Sequence, residues 1–316
     1  TEKERRATVV GVQSDYLHDT DGFTECRVRD VSAGRDVEAA IGLRNRWEVL
    51  PGVGLHTSLE RVQTLSGAID GDATAAAFAV SYTAQPDWKG TGRIEYRIGE
   101  VQDTLLSTLG LAAKIDTNWS VLGRTLLERA SRDASLGDDL LGRFQIGMAY
   151  RPTDDNRWNA LGRYEYRFEK NVDFGYRQRR NVHIVSFHGD LRHSSRLWTT
   201  GRYAVKWVDE DSLDIGSSGL TQLLSGRVTY DLAKRWDAGL VMGALAGDGT
   251  RSLEYALGAE VGYLIAKNFW LSGGFNVAGF EDRDLEGQNY TRPGPYLRIR
   301  FKFDEGALGW LEGDRP

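Results

Sequence analysis

The sequence is short of several things, and each shortage removes a class of protein. It has a single cysteine, Cys26, which excludes an internal disulfide framework and a cysteine-rich zinc site. It has no long apolar run. The longest stretch free of charge is Ala73 to Pro86, 14 residues, whereas a spanning helix needs about 18 or more. It has no excess of positive charge. Its 40 Lys+Arg stand against 45 Asp+Glu, a net charge of −5, which excludes a generally basic nucleic-acid binder. It lacks an apolar leader, beginning Thr-Glu-Lys-Glu-Arg-Arg; the expectation is a removed signal or a piece of a longer chain. With a mean hydropathy of −0.44 and 27% charged residues, the totals alone read as a soluble protein.

The pattern along the chain overturns that reading. In Arg93-Ile94-Glu95-Tyr96-Arg97-Ile98, charged and apolar residues alternate. Arg163 to Phe168, Arg202 to Trp207 and Leu297 to Phe303 repeat the alternation. A period of two marks strands with two unlike faces. Turn signals divide the chain into sixteen strands: 22–31, 36–50, 53–66, 72–85, 90–101, 103–115, 119–130, 138–151, 157–169, 178–192, 196–208, 217–231, 235–246, 251–265, 269–280 and 294–303. Residues 5–14 are either a further strand or a segment outside or within the sheet. Many runs are 12 to 15 residues long, beyond the roughly 5–6 of globular strands and enough for the about 9–11 of a tilted membrane strand.

The connections alternate in length. Pro51-Gly52, Pro86 to Lys89, Asp116 to Asn118, His193 to Ser195, Ala233-Lys234 and Ala266 to Asn268 are short. Gly67 to Gly71, Ser131 to Gly137, Lys170 to Arg177, Asp209 to Gly216 and Glu281 to Pro293 are longer, although Ser32 to Arg35 and Gln102 on that side are short. Short turns on one rim and longer loops on the other describe an outer-membrane barrel.

Tryptophans mark the short-turn rim. Trp47, Trp88, Trp119, Trp158, Trp198, Trp236 and Trp270 follow one another at 31 to 41 residues, about one hairpin each. An indole ring prefers the membrane–water boundary. Trp47, Trp88, Trp119, Trp158 and Trp236 are taken as the aromatic rim, while Trp198 and Trp270 fall on the other strand phase. Ordinary strand-end packing is the alternative. A propeller would place four strands in each repeat, where this chain holds two long ones.

The apolar phase, including Ile41, Leu43, Phe78, Val80, Phe144, Ile146, Val185, Phe187, Leu240 and Met242, is assigned to lipid. The opposite phase carries Arg44, Arg46, Arg93, Glu95, Arg97, Arg163, Glu165, Arg167, Arg202, Lys206, Arg227, Arg298, Arg300 and Lys302, with Glu60, Arg143, Glu254 and Glu260. These 13 cations and 5 acids either line an anion-favouring lumen or pair across strands and fill it. Residues 119–130 are ambiguous, because Leu122 and Leu126 share a phase with Arg124 and Glu128.

Five histidines offer a weak enzymatic alternative. His188, Asp190 and Ser186 share a strand face, but such side chains project in parallel rather than converging on a substrate. The acidic residues Asp209-Glu210-Asp211 with Asp214, and Glu281-Asp282 with Asp284, fit no calcium loop and read as solvated charge. No metal, cofactor or catalytic residue is expected, and Cys26 reads as a small apolar residue.

The final strand, Tyr296-Leu297-Arg298-Ile299-Arg300-Phe301-Lys302-Phe303, resembles the C-terminal signal read by the barrel assembly machinery of bacterial outer-membrane proteins. Tyr296, Ile299, Phe301 and Phe303 carry that signal, and 13 residues follow it. Ile41 to Trp47, Thr104 to Leu109, Leu224 to Asp231, Tyr255 to Tyr263 and Gly279 to Asp284 are similar to segments of the C-terminal barrel of very large Gram-negative surface proteins bearing repeated immunoglobulin-like modules. The resemblance implies an outer-membrane anchor, with an exit or assembly pore as a variant, for a larger cell-envelope protein.

The expected architecture is therefore an all-β, antiparallel up-and-down transmembrane barrel of about sixteen strands (range 16–18). Residues 1–21 form a periplasmic, lumenal or extra-strand segment, 22–303 the barrel, and 304–316 a periplasmic tail. Its partners are outer-membrane lipid and lipopolysaccharide, the assembly machinery and upstream surface domains or other envelope proteins. A passive porin-like channel with anion preference is the alternative function.

Overall fold

A computed structural model describes residues 6–17, 19–31, 34–67, 71–132, 137–155, 157–173, 176–212, 215–248, 252–266, 269–280, 282, 284–285 and 293–301. Among these residues the chain forms seventeen strands and no helix. They are β1 (Arg6–Leu17), β2 (Thr20–Val31), β3 (Gly34–Leu50), β4 (Val53–Ser66), β5 (Ala73–Tyr82), β6 (Trp88–Gly99), β7 (Asp103–Lys114), β8 (Trp119–Ser131) and β9 (Asp138–Tyr150). The remainder are β10 (Trp158–Asp173), β11 (Tyr176–Arg192), β12 (Leu197–Ser212), β13 (Ile215–Ala233), β14 (Trp236–Gly247), β15 (Ser252–Ala266), β16 (Phe269–Ala278) and β17 (Gly294–Phe301).

Each strand pairs antiparallel with the next in sequence, from β1–β2 through β16–β17. This is the expected meander. Its count is seventeen rather than sixteen, because the open case of residues 5–14 resolves as β1. That segment pairs with β2 from Arg6↔Asp30 to Leu17↔Thr20. Asp19 makes the tight turn with φ 66°, a left-handed conformation that Asp tolerates better than most residues.

An odd count has a geometric consequence. In an up-and-down sheet β1 and β17 run the same way, so direct closure would require a parallel pair. Among the described residues no pairing joins β17 to β1, so the sheet they form is not closed. Residues 302–316 lie outside the described residues, and with them the expected tail and the positions of Lys302 and Phe303.

The register fixes the two faces. On the outer face stand Ile41, Leu43, Phe78, Ile146, Phe187, Leu224 and Val277, each more than 40% exposed. A continuous apolar surface of this extent is not sustained in water and needs a lipid partner. The ambiguous β8 is settled by its neighbours. Leu122, Arg124, Leu126 and Glu128 stand opposite Gly147, Gln145, Arg143 and Leu141 of β9, on the face that also carries Arg163 and Glu165. Cys26 is exposed and, from its place opposite Val10 and Ala39, lies on the outer face.

Three glycines admit a large ring from the adjacent strand. Phe23 covers Gly42, where an added Cβ would lie 2.5 Å from the ring. Phe168 covers Gly142, and Tyr296 covers Gly274, more closely still. The missing side chain makes room for the aromatic plane, which in turn shields the bare glycine backbone.

Candidate functional site: the inner face and its inserted loop

Charge on the inner face is organised around buried acids. Glu165 on β10 is fully buried and meets Arg143 at 2.6 Å, Arg163 at 3.6 Å and Arg167 at 2.5 Å. Glu60 on β4 bonds Arg27 at 3.0 Å and lies 3.7 Å from Arg97, which also faces Glu95 at 3.6 Å. Glu95 holds Arg93 at 2.6 Å. Glu25 pairs with Arg27 and, at 3.8 Å, with Arg44. Arg44 also lies 3.9 Å over the Phe23 ring. Glu260 on β15 is shared by Arg227, Arg298 and the Tyr296 hydroxyl. Each of these acids serves two or more cations, so charges on this face pair across strands.

Arg44, Arg46, Arg93, Glu95, Arg97, Arg163, Glu165, Arg167, Arg202, Lys206, Arg227 and Arg298 all share this face by register. Arg300 takes the same backbone phase, opposite Trp270. The four residues of the expected assembly signal divide. Tyr296 faces inward over Gly274, Ile299 is on the outer face, 66% exposed, and Phe301 shares the phase of Ile299. Phe303 lies outside the described residues.

The connection between β16 and β17 folds back onto this face. Asp284 receives a two-pronged bond from Arg180 on β11, at 3.2 and 2.6 Å. Arg167 on β10 donates to both the Asp284 carboxylate and its carbonyl, at 3.4 and 3.2 Å. Lys206 on β12 bonds Asp282 at 2.6 Å and Asp284 at 3.4 Å. The turn stiffens itself, since Asp282 Oδ1 accepts from the backbone N–H groups of Asp284 and Leu285 at 2.9 and 3.0 Å. Asp284 follows the end of β16 by six residues yet reaches β11, five strands away. The loop thus spans a chord of a concave sheet.

Apolar packing accompanies the charges. Phe280 and Leu285 join Val182, Ile184, Ala204, Leu223, Leu245 and Ala256 in a buried cluster, with Val208 packed against it. These wall residues are on the inner phase, where the sequence suggested polar lining. A loop that covers them removes the cost of wetting an apolar wall. The reading of Asp282 and Asp284 as solvated charge is therefore corrected: Asp284 is 2% exposed. Burial acts to raise its carboxyl, but the Arg180 hydrogen bond and the charges of Arg180, Lys206 and Arg167 outweigh it and hold the group below the ordinary aspartate range. Glu210 of the other acidic cluster faces Arg180 at 3.6 Å and accepts from Gln178 at 2.7 Å. Asp214 lies outside the described residues.

His188 lies 3.6 Å from Asp190, whose other oxygen accepts from Thr200 at 2.6 Å. Among the described residues no hydrogen bond links Ser186 to His188, so the nucleophile–base contact of a hydrolytic triad is missing.

Two aromatic belts bound the outer face. At the short-turn rim Trp88 stacks on Tyr82 at 4.1 Å, Tyr150 lies between Trp119 (4.7 Å) and Trp158 (4.4 Å), and Trp236 meets Tyr263 at 4.8 Å. Trp47 stands on the same face, 40% exposed, whereas Trp198 and Trp270 take the inner phase. The second belt escaped the sequence reading. The Tyr164 hydroxyl meets His183 Nδ1 at 2.9 Å, while the His183 ring lies 4.7 Å from Tyr166 and 6.4 Å from Trp207. Tyr96 and Tyr255 continue this band, each eight residues from the first belt on its own strand. Eight tilted strand residues rise about 20 Å, close to the apolar band of an outer-membrane barrel.

An apolar band between two aromatic belts, a charged inner face and a seventeen-strand meander define a transmembrane β-sheet of the outer-membrane barrel type. Among solved structures, the chain is similar to the siderophore receptor PirA from Pseudomonas aeruginosa, at 12% identity and a TM-score of 0.55. The match covers 95% of this chain and 62% of the receptor, so the chain spans less than two thirds of that protein. It also matches a bacterial polysaccharide outer-membrane secretin (TM-score 0.44, 10% identity, 86% and 92% of the two chains). A third match is the anion-selective porin from Comamonas acidovorans (0.40, 11%, 95% and 100%). The PirA likeness shows a shared fold. No protein-family profile and no curated protein matches the sequence.

Proposed function

We propose that this chain is an outer-membrane anchor that presents the segment preceding β1 on the cell surface. One observation carries the reading. With the Trp rim and short turns on the periplasmic side, the strand count places the Arg6 end of β1 at the rim of the longer loops. A module joined to that end emerges outside the cell, as an anchor for upstream surface domains requires. The test is a protease site placed immediately before Arg6 and expressed in the outer membrane. Cleavage by protease added to intact cells supports the proposal; protection in intact cells with cleavage after lysis overturns it.

A second reading is a narrowed, anion-preferring pore, favoured by the two or more cations gathered around each of Glu25, Glu60, Glu95, Glu165 and Glu260. The inserted loop supplies the narrowing. Reconstitution in a planar bilayer with a salt gradient is decisive. A reversal potential on the anion side supports this reading, and folded protein that conducts nothing refutes it.

A further inference from the structure

One part of the inner wall has room where its neighbours have side chains. Lys89, Ala112, Leu122, Gly147 and Arg163 stand in a line across β6 to β10. One step further toward the outer rim run Gly110, Arg124 and Gln145. Gly110, Gly147 and Ala112 leave a recess of about 720 Å³, which Lys89, Arg124 and Arg163 also line. Its floor is mostly apolar, from Ala112, Leu122 and Leu161, while Thr91, Thr108 and Gln145 add neutral hydrogen-bonding groups.

The cations around this floor differ from those elsewhere on the face. Arg163 has Glu165 at 3.6 Å, but Glu165 is already held by Arg143 and Arg167 at closer range. Lys89 and Arg124 are exposed and have no ion-pair partner among the described residues. Arg124 stands two strands from Lys89 and two from Arg163, about 10 Å across the sheet in each direction.

An apolar floor with a few convergent polar groups is the usual form of a small-molecule site, and the volume falls in the usual range of about 300–1,000 Å³. Three positive groups around such a floor select one chemistry. We infer that the β6–β10 recess binds an organic anion, an apolar body bearing a carboxylate or phosphate. The body covers Leu122 and Leu161, and the oxyanion takes a charge-assisted bond from Arg124, with Lys89 and Arg163 on either side. This inference deepens the pore reading and makes the recess a selectivity station on the wall.

The experiment is calorimetric titration of the full chain in nanodiscs, which does not depend on conduction. The probes are naphthalene-2-carboxylate, the uncharged naphthalene-2-methanol and inorganic phosphate. Saturable binding of the carboxylate alone is expected. Arg124→Gln should weaken it at least tenfold, the scale of one lost charge-assisted bond, and Arg61→Gln, opposite Ile41 on the outer face, should leave it unchanged. Equal binding of the alcohol would show that the cations play no part, and equal binding of phosphate that the floor plays none; either overturns the site. Absence of carboxylate binding in a conducting protein refutes the recess while sparing the pore. Binding without conductance does the reverse.

Discussion

Arg180 and Asp284 are 104 residues apart in sequence, and their side chains meet at 2.6 Å against the inner wall. This pair holds the β16–β17 connection inside the sheet. Both groups are almost fully buried, so neither has water to replace the other. Removing one partner of such a pair costs about 3–5 kcal/mol.

Asp284→Asn should release the loop. Arg180 and Lys206 would lose their nearest shared charge, and Phe280 and Leu285 would leave their apolar seat. Limited proteolysis of the folded protein should show new cleavage between residues 279 and 293 with the strands intact. An unchanged cleavage pattern would mean that the Lys206–Asp282 pair and the apolar packing hold the loop without Asp284.

The latch should also respond to acid. A carboxyl lowered in the folded state stabilises fully above its unfolded pKa, and that contribution is lost as pH falls through the lowered folded value. Asp284 is of this kind. Loop protection should be flat from about pH 8 to about pH 5 and fall only below the usual carboxylate range. A change near neutrality would point to a different group.

Glu165→Gln should be more damaging than any single change among its arginines. One buried acid serves Arg143, Arg163 and Arg167, so the substitution leaves three cations facing one another. Urea unfolding in detergent should show a loss of about 3–5 kcal/mol, whereas Arg163→Gln, at the longest of the three distances, should cost about 1 kcal/mol or less.

Gly142→Ala should displace the Phe168 ring, because the added methyl falls on its edge. Overpacking of this sort costs about 1–3 kcal/mol. The double variant with Phe168→Ala should recover part of the loss in the same unfolding assay. Simple additivity would show that the two side chains do not meet.

The belt at the short-turn rim should report its depth. Quenching by lipids brominated near the headgroup should exceed quenching by lipids brominated at the chain ends for Trp88, Trp119, Trp158 and Trp236 in single-Trp variants. Trp198, on the inner phase, should be quenched by neither.

A period of two in the sequence determined the strands and both their faces. Alternation is a local property, and one residue's phase dictates every other residue on its strand. That is why Arg93, Arg163 and Arg202 were assigned to the inner face and Ile41, Phe78 and Phe187 to the outer without any knowledge of pairing. The Trp rim was legible for the same reason, since each Trp adjoins a short turn. The Tyr–His–Trp belt was not, because its members come from three strands and gain meaning only when β10, β11 and β12 stand side by side.

Three matters were left to the tertiary structure. β8 carries leucine and charge in one phase, and only its pairing with β7 and β9 shows which way that phase points. Residues 6–17 are too weakly patterned to be a certain strand alone; the β2 edge gives them a ladder of hydrogen bonds. Asp282 and Asp284 read as ordinary loop acids, because their partners lie on β10, β11 and β12. Local pattern fixes which way a side chain faces, but a concave sheet decides which distant charge it meets.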